Sequence, residues 1–257
     1  MKTDSASEIL KIFETKVSTF GSFTAFTLSS IRKIFIPSIS PRLLLQQMEF
    51  IGNKSFLIIA LAATMVGAVF GIQLGEIFKI FKAESMIGAA ASYALSKELA
   101  PVVGAFLVTG RAGSSMAAEI ATMKVNEQID AMKVMSVDPQ SYLIAPRICA
   151  TVIMMPLLSS FFVLFGVLSA FLIGVGIFDI DVGVFIDKMR WITQPKDVIS
   201  GMQKAMIFGL ILSSVGCFKG FHAGRGAKGV GKATTEAVVY SLILILVSDF
   251  VISYAQL

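Results

Sequence analysis

The chain has 257 residues, of which 55% are hydrophobic and only 15% are Asp, Glu, Lys or Arg. Soluble domains are about a quarter charged, so this composition excludes an ordinary soluble protein, and its long uncharged runs indicate an all-α, polytopic membrane protein. The net charge of +5 then points to basic cytoplasmic loops rather than to nucleic acid, and the absence of alternating ten-residue segments excludes an outer-membrane barrel.

The length suits one bundle without an added soluble domain. The first 30 residues hold Asp4, Glu8 and Glu14 and no compact apolar run, unlike a cleaved signal peptide. Within residues 8–36, Ile9, Phe13, Val17 and Phe20 recur at helical spacing, with Lys11, Glu14 and Lys16 between them. This predicts an amphipathic helix, either lying in the membrane interface or packed on the flank of the bundle. Pro37 and Pro41 interrupt the chain, and residues 42–80 supply a short elbow and span 1. Ala63, Gly67, Gly71 and Gly75 recur every fourth residue, a spacing that lets two helix backbones approach closely. Phe70, Leu74, Ile77 and Phe78 occupy a face about 100° away, which either packs or lines an apolar space.

After a polar turn at Lys79, Lys82 and Glu84, span 2 covers 86–116 and is interrupted by Lys97 and Glu98. GRAGS, at 110–114, reads as a close-packed bend that puts Arg111 near the headgroups. Residues 117–138 form a polar-tipped amphipathic helix ending at Asp138-Pro139. Val125, Ile129 and Met132 make its apolar stripe, while Glu119, Lys124, Glu127, Asp130 and Lys133 offer charge to a soluble partner or to the membrane interface. Span 3 covers 140–178, with a kink expected at Pro156. A short helix at 180–194 follows on the outer side, with Trp191 beside Arg190 at headgroup level. Span 4 (198–218) carries Lys204 and span 5 (233–254) carries Asp249, joined by a basic glycine-rich loop at 219–232. Placing the N-terminus, the 117–138 helix and that loop on one side gathers most of the 22 Lys and Arg residues there. That side is then cytoplasmic, with the C-terminus periplasmic.

Two nucleotide-like patterns in the 219–232 loop are misleading. Gly224, Gly226 and Gly229 match GxGxxG, and Gly226, Gly231 and Lys232 match GxxxxGK, followed by Ala233 rather than Ser or Thr. Both require a preceding strand, whereas a membrane helix precedes them, so the chain holds no ATP site of its own. Cys149 and Cys217 read as reduced packing residues, and the lone His222 gives no metal site. There is no Ser/His/Asp set and no HExxH, hence no catalytic residue.

Charges within spans carry the sharper signal. Each costs about 2.5–3.5 kcal/mol at the bilayer centre on insertion scales, and such residues face cavities or partners. Lys97, Glu98, Lys204 and Asp249 qualify. They either gather around one outward-opening pocket or form structural ion pairs such as Lys97 with Asp249. On these residues alone a self-contained channel or ion-coupled carrier, and a non-transporting membrane scaffold, stay open beside a transporter subunit.

KELAPVV (97–103), TGRAGSSMAAE (109–119), EQIDAMKVMSVDP (127–139), APR (145–147) and GVGKATTEAVV (229–239) together make the chain, from about Pro41 onward, resemble the MlaE family. These are permease subunits of ABC transporters that work with MCE-domain proteins to move lipids between Gram-negative membranes. The resemblance implies two permease copies in the inner membrane, two cytoplasmic ATPases that bind the ATP and magnesium, and a periplasmic MCE ring. It makes 117–138 a coupling helix, with Glu119, Lys124, Glu127, Asp130 and Lys133 facing the ATPase. It also implies an outward phospholipid pocket with Phe70, Leu74, Ile77, Phe78 and Leu99 against acyl chains. Lys97, Lys204 and Asp249 would lie near the headgroup, and Glu98 would pair with a neighbouring cation. Lys97 stands where some relatives are expected to carry Arg, which keeps the charge without the bidentate fork.

Overall fold

The computed structural model describes residues 18, 21–34 and 40–256, and among these every regular element is helical. Helix α1 covers 21–34. The stripe of Ile9, Phe13, Val17 and Phe20 lies outside the described residues. α1 itself packs on the flank of the bundle, with Phe23 and Phe26 edge-on to Phe218 at centroid separations of 5.4 and 5.5 Å.

Five helical stretches among the described residues are long and apolar enough to span a membrane. The first is α2 (Pro41–Ile80), begun by Pro41 in the first turn, where a missing N–H costs nothing. The expected elbow is therefore no separate element. Elbow and span form one helix of 40 residues, about 60 Å long. It stops at Lys82, which takes a left-handed φ of 53°. The amide of Ala83 reaches back to Phe78 and that of Lys82 to Lys79, the paired bonds of a Schellman stop.

The second stretch, Glu84–Val125, comprises α3 (Ile87–Ala94), α4 (Ala100–Val108) and α5 (Ser114–Val125). Two π-helical turns, Leu95–Leu99 and Thr109–Gly113, join them. Two expectations are corrected here. GRAGS is not a bend but a π turn inside a continuous helix. The 117–138 helix is also not one piece, because α5 continues span 2 and stops at Asn126. Glu127 then adopts φ 59°, and a short α6 (Gln128–Val134) follows. Ile129 is buried and Met132 partly buried against the bundle, as a stripe requires.

The third stretch opens with a π turn, Gln140–Ile144, and continues as α7 (Ala145–Gly176), whose helix runs on through Pro156. The short α8 (Val182–Ile192) is capped by Asp181, whose carboxylate accepts from the Val184 amide. α9 (Pro195–Phe221) opens with a reciprocal Gln194–Asp197 capping box. α10 (Gly226–Ala255) closes the bundle. The expected loop at 219–232 shrinks to a tight turn, because α9 runs to Phe221 and α10 starts at Gly226. Gly229 allows this. A Cβ on Gly229 would sit 2.1 Å from the Gly224 carbonyl oxygen.

The GxxxG face of α2 packs within the chain, against α7. A Cβ at Gly67 would meet the Gly166 carbonyl oxygen at 2.1 Å, and one at Gly75 would strike the Phe178 ring. Every fourth residue from Ile59 to Gly75 is buried, while Leu57, Leu61, Met65 and Val69 point outward. In a bilayer such outward residues meet lipid at no hydrophobic cost, so close van der Waals packing of small residues holds the seam.

Candidate functional site

The first π turn contains Lys97 and Glu98. A π turn inserts a residue into the helix and commonly marks a functional position. Here it sends the two side chains to different surroundings.

Glu98 turns toward α9 and α10. Lys204, on α9, is completely buried, and its ammonium donates to Glu98 Oε2 at 2.6 Å and to Ser253 Oγ at 2.7 Å. Asp249 Oδ1 lies 3.2 Å from the same nitrogen. That oxygen forms the ion pair outside hydrogen-bond alignment and accepts no hydrogen bond, although it is buried. One ammonium thus donates to two side chains and pairs by charge with a third, drawn from two other elements. One cation faces two carboxylates, and Glu98 keeps 41% of its side chain exposed, so the network is open on that side. Asp197 and Ser200, further toward the start of α9, belong to the adjoining cavity.

Lys97 does not join the network, and the expected Lys97–Asp249 pair is replaced by Lys204–Asp249. The Lys97 ammonium donates to Tyr93 Oη at 2.9 Å and lines a polar cavity of about 640 Å³ with Gln194, Asp197, Ser200 and Gln256. Ser92 and Ser96, on the other face of the same helix, line an apolar cavity of about 640 Å³ with Val163, Phe171, Phe185 and Arg190. The stretch from α3 to the π turn is therefore a wall between a polar and an apolar space, both near α8.

The remaining site candidates are dispersed. Phe70 and Leu74 are half-buried on α2, and Ile77 is exposed. Phe78 packs with Ile87, Ile180 and Phe185 in an aromatic cluster, and Leu99 packs on the main core. Sequence reasoning missed Tyr93 and Ser253. Both were readable, since each lies four residues from a charge already singled out, Lys97 or Asp249, on the same helix face.

At the other end, two of the five tip residues are engaged by the bundle itself. Arg147, nearly buried on α7, donates to Glu119 at 2.9 Å, and Lys124 donates to the Phe221 carbonyl at 2.8 Å. Glu127 is exposed, and Asp130 pairs with Lys133 at 2.8 Å. The hydrogen bond and charge of Lys133 hold the Asp130 carboxyl below the usual carboxylate range. Val134 and Met135 are also strongly exposed at this tip, a feature that a search for charge passed over. Arg111, at the second π turn, donates to Phe50 O and Ser55 Oγ at 2.8 and 2.9 Å, with its guanidinium 4.8 Å over the Phe50 ring. It ties the tip-bearing helix to α2.

Five apolar helices, charges held inside them and an exposed helical tip define a polytopic membrane protein. Residues 44–255 match the family described as Permease MlaE, and the chain belongs to that family. It is 42% identical over 233 residues to a probable ABC transporter permease protein of Rickettsia felis, covering 91% of this chain and 90% of that one. It is 37% identical over 212 residues to the intermembrane phospholipid transport system permease protein MlaE of Haemophilus influenzae, covering 82% and 81%. The chloroplastic protein TRIGALACTOSYLDIACYLGLYCEROL 1 of Arabidopsis thaliana is 39% identical over 209 residues, covering 81% of this chain and 60% of its own length.

Proposed function

We propose that this chain is the permease subunit of an ATP-driven transporter that moves phospholipid between the inner membrane and a periplasmic MCE-domain partner, maintaining outer-membrane lipid asymmetry. Two copies form the permease, and a cytoplasmic pair of ABC ATPases supplies ATP and magnesium chemistry. The tip end and N-terminus face the cytoplasm, as the basic residues favour, and α8 and the C-terminus face the periplasm. One observation carries the reading: Lys204 is fully buried between Glu98 and Asp249 within the spans, and the helix bearing Glu98 divides a polar from an apolar cavity. A phospholipid has both chemistries. Its headgroup suits Lys97, Glu98, Lys204 and Asp249, and its acyl chains suit the apolar cavity lined by Val163, Phe171 and Phe185; Phe70, Leu74, Ile77, Phe78 and Leu99 lie outside that cavity and are proposed as further acyl-chain contacts.

Coupling is assigned to Glu119, Lys124, Glu127, Asp130 and Lys133. Glu127, Asp130 and Lys133 present charge at the tip, while Glu119 and Lys124 brace α5 against α7 and α9. Closure of the ATPases then moves the helix that also carries the Glu98 π turn.

The test is lipid transfer and lipid-stimulated ATP hydrolysis by the reconstituted complex carrying Lys97→Gln, Lys204→Met or both. Loss of both activities with the complex still assembled is expected, and full retention sinks the proposal. An ion-coupled carrier using Glu98, Lys204 and Asp249 as a relay predicts instead that the purified chain transports without ATP.

A further inference from the structure

The tip end holds a second polar cavity, about 22 Å along α9 from Lys204. It encloses about 420 Å³ between α1, the end of α9 and the first turns of α10. Lys219, His222 and Lys232 line it together with Ser22, and among the described residues Glu236 is its one carboxylate. Lys219 pairs with Glu236 at 2.7 Å, while Lys232 stands 3.8 Å from Glu236 and keeps 77% of its side chain exposed. Glu236 can neutralise one ammonium, so the cavity retains a positive excess. Arg225 and Lys228 add exposed charge beside it.

One further feature fits an anion. The turn from α9 to α10 is pressed against the first turn of α10 where Gly224 and Gly229 line the cavity, and a side chain on Gly229 would run into the Gly224 backbone. The cavity also continues into apolar surface. The Lys219 ammonium lies 4.1 Å over the Tyr240 ring, and Val239, Tyr240 and Ile243 are exposed below it on α10. A phosphate held by the lysines would have its apolar remainder running along this face.

We infer that this cavity is a binding site for a phosphate-bearing anion, in the membrane setting the headgroup of an acidic phospholipid, separate from the Lys204 network. Basic pockets between helices at a membrane surface recognise such headgroups, each cation near the surface contributing roughly a five-fold gain in affinity. The glycine-rich stretch that mimics a nucleotide loop then has a different use, a turn compact enough to bring two helix ends and their lysines around one anion.

The experiment is native mass spectrometry of the full-length chain in its purified complex, titrated with phosphatidylglycerol or phosphatidylcholine. Wild type is expected to retain phosphatidylglycerol over phosphatidylcholine. Lys232→Gln, an exposed change that leaves packing intact, should weaken retention about five-fold, and Glu236→Gln should strengthen it by a similar factor. Adding inorganic phosphate identifies the source. Undiminished lipid retention assigns the site to the headgroup, and displacement assigns it to a soluble phosphate. Phosphatidylglycerol retention identical in wild type, Lys232→Gln and Glu236→Gln overturns the inference.

Discussion

The α2–α7 seam and the Glu98–Lys204–Asp249 network hold helices together by opposite means. At the seam there is no charge: glycines remove side chains until backbone touches backbone, and nothing can move without separating the helices. In the network a buried ammonium is offset by carboxylates from two other elements, one of them 41% exposed. Dispersion forces are short-ranged and indifferent to a ligand's charge, so the seam suits a fixed frame. Charge pairs respond to whatever ion or headgroup approaches, so the network suits a place where something binds.

The sharpest way to break the comparison is at the frame. Gly67→Leu puts a side chain where a Cβ alone would lie 2.1 Å from the Gly166 oxygen. Because the obstacle is backbone, a loss on the order of 4 kcal/mol or more is expected, seen as failure to recover folded protein in detergent. Normal yield and melting temperature would show that the seam yields.

Next comes the network. Lys204→Met strands two carboxylates beside a buried methyl, with an expected cost of about 3–5 kcal/mol in thermal unfolding. Replacing all three charges, Glu98→Gln with Lys204→Met and Asp249→Asn, should restore most of that stability, since a fully neutral site has nothing to compensate. Lipid transfer should stay lost. A triple variant no more stable than Lys204→Met contradicts the assignment of the cost to unpaired charge.

The smallest effect lies again on the seam. At Gly71 a Cβ would stand 3.3 Å from Ala170 and Ile173, a contact a small shift relieves. Gly71→Ala also gains about 1 kcal/mol of helix propensity, so its melting temperature should stay close to wild type. A loss as large as that of Gly67→Leu would mean that all seam glycines are equally critical.

Legibility followed the range of the interaction. Period-four glycines and uncharged runs are properties of one helix, and they foretold five spans and one close-packed face. The partner of that face, α7, was not readable, because Gly166, Ala170 and Gly174 are far away in the chain and give a weaker pattern on their own. The charges were visible as residues but not as pairs. Lys97 and Glu98 are neighbours, and only the π turn and the placement of α9 decide that Glu98 meets Lys204 while Lys97 meets Tyr93. The boundary errors have the same origin. Residues 219–232 look like a loop because glycine and lysine are poor membrane residues, yet most of them are helical ends of α9 and α10 that extend beyond the apolar core and leave only a short turn between them. Residues 117–138 look like one helix because the stripe is periodic, yet Glu127 takes a left-handed conformation that ends one helix and starts another.

By itself, then, the sequence determined the environment of each segment, through hydropathy, charge placement and the small-residue repeat, since these act within a few residues of chain. Tertiary structure alone decided which helix fills the glycine groove, which carboxylates share Lys204, and that Lys219, Lys232 and Glu236 close around a cavity at the tip. Those outcomes depend on how helices are rotated against one another, and a rotation is fixed by the sum of all contacts along an interface rather than by any single residue.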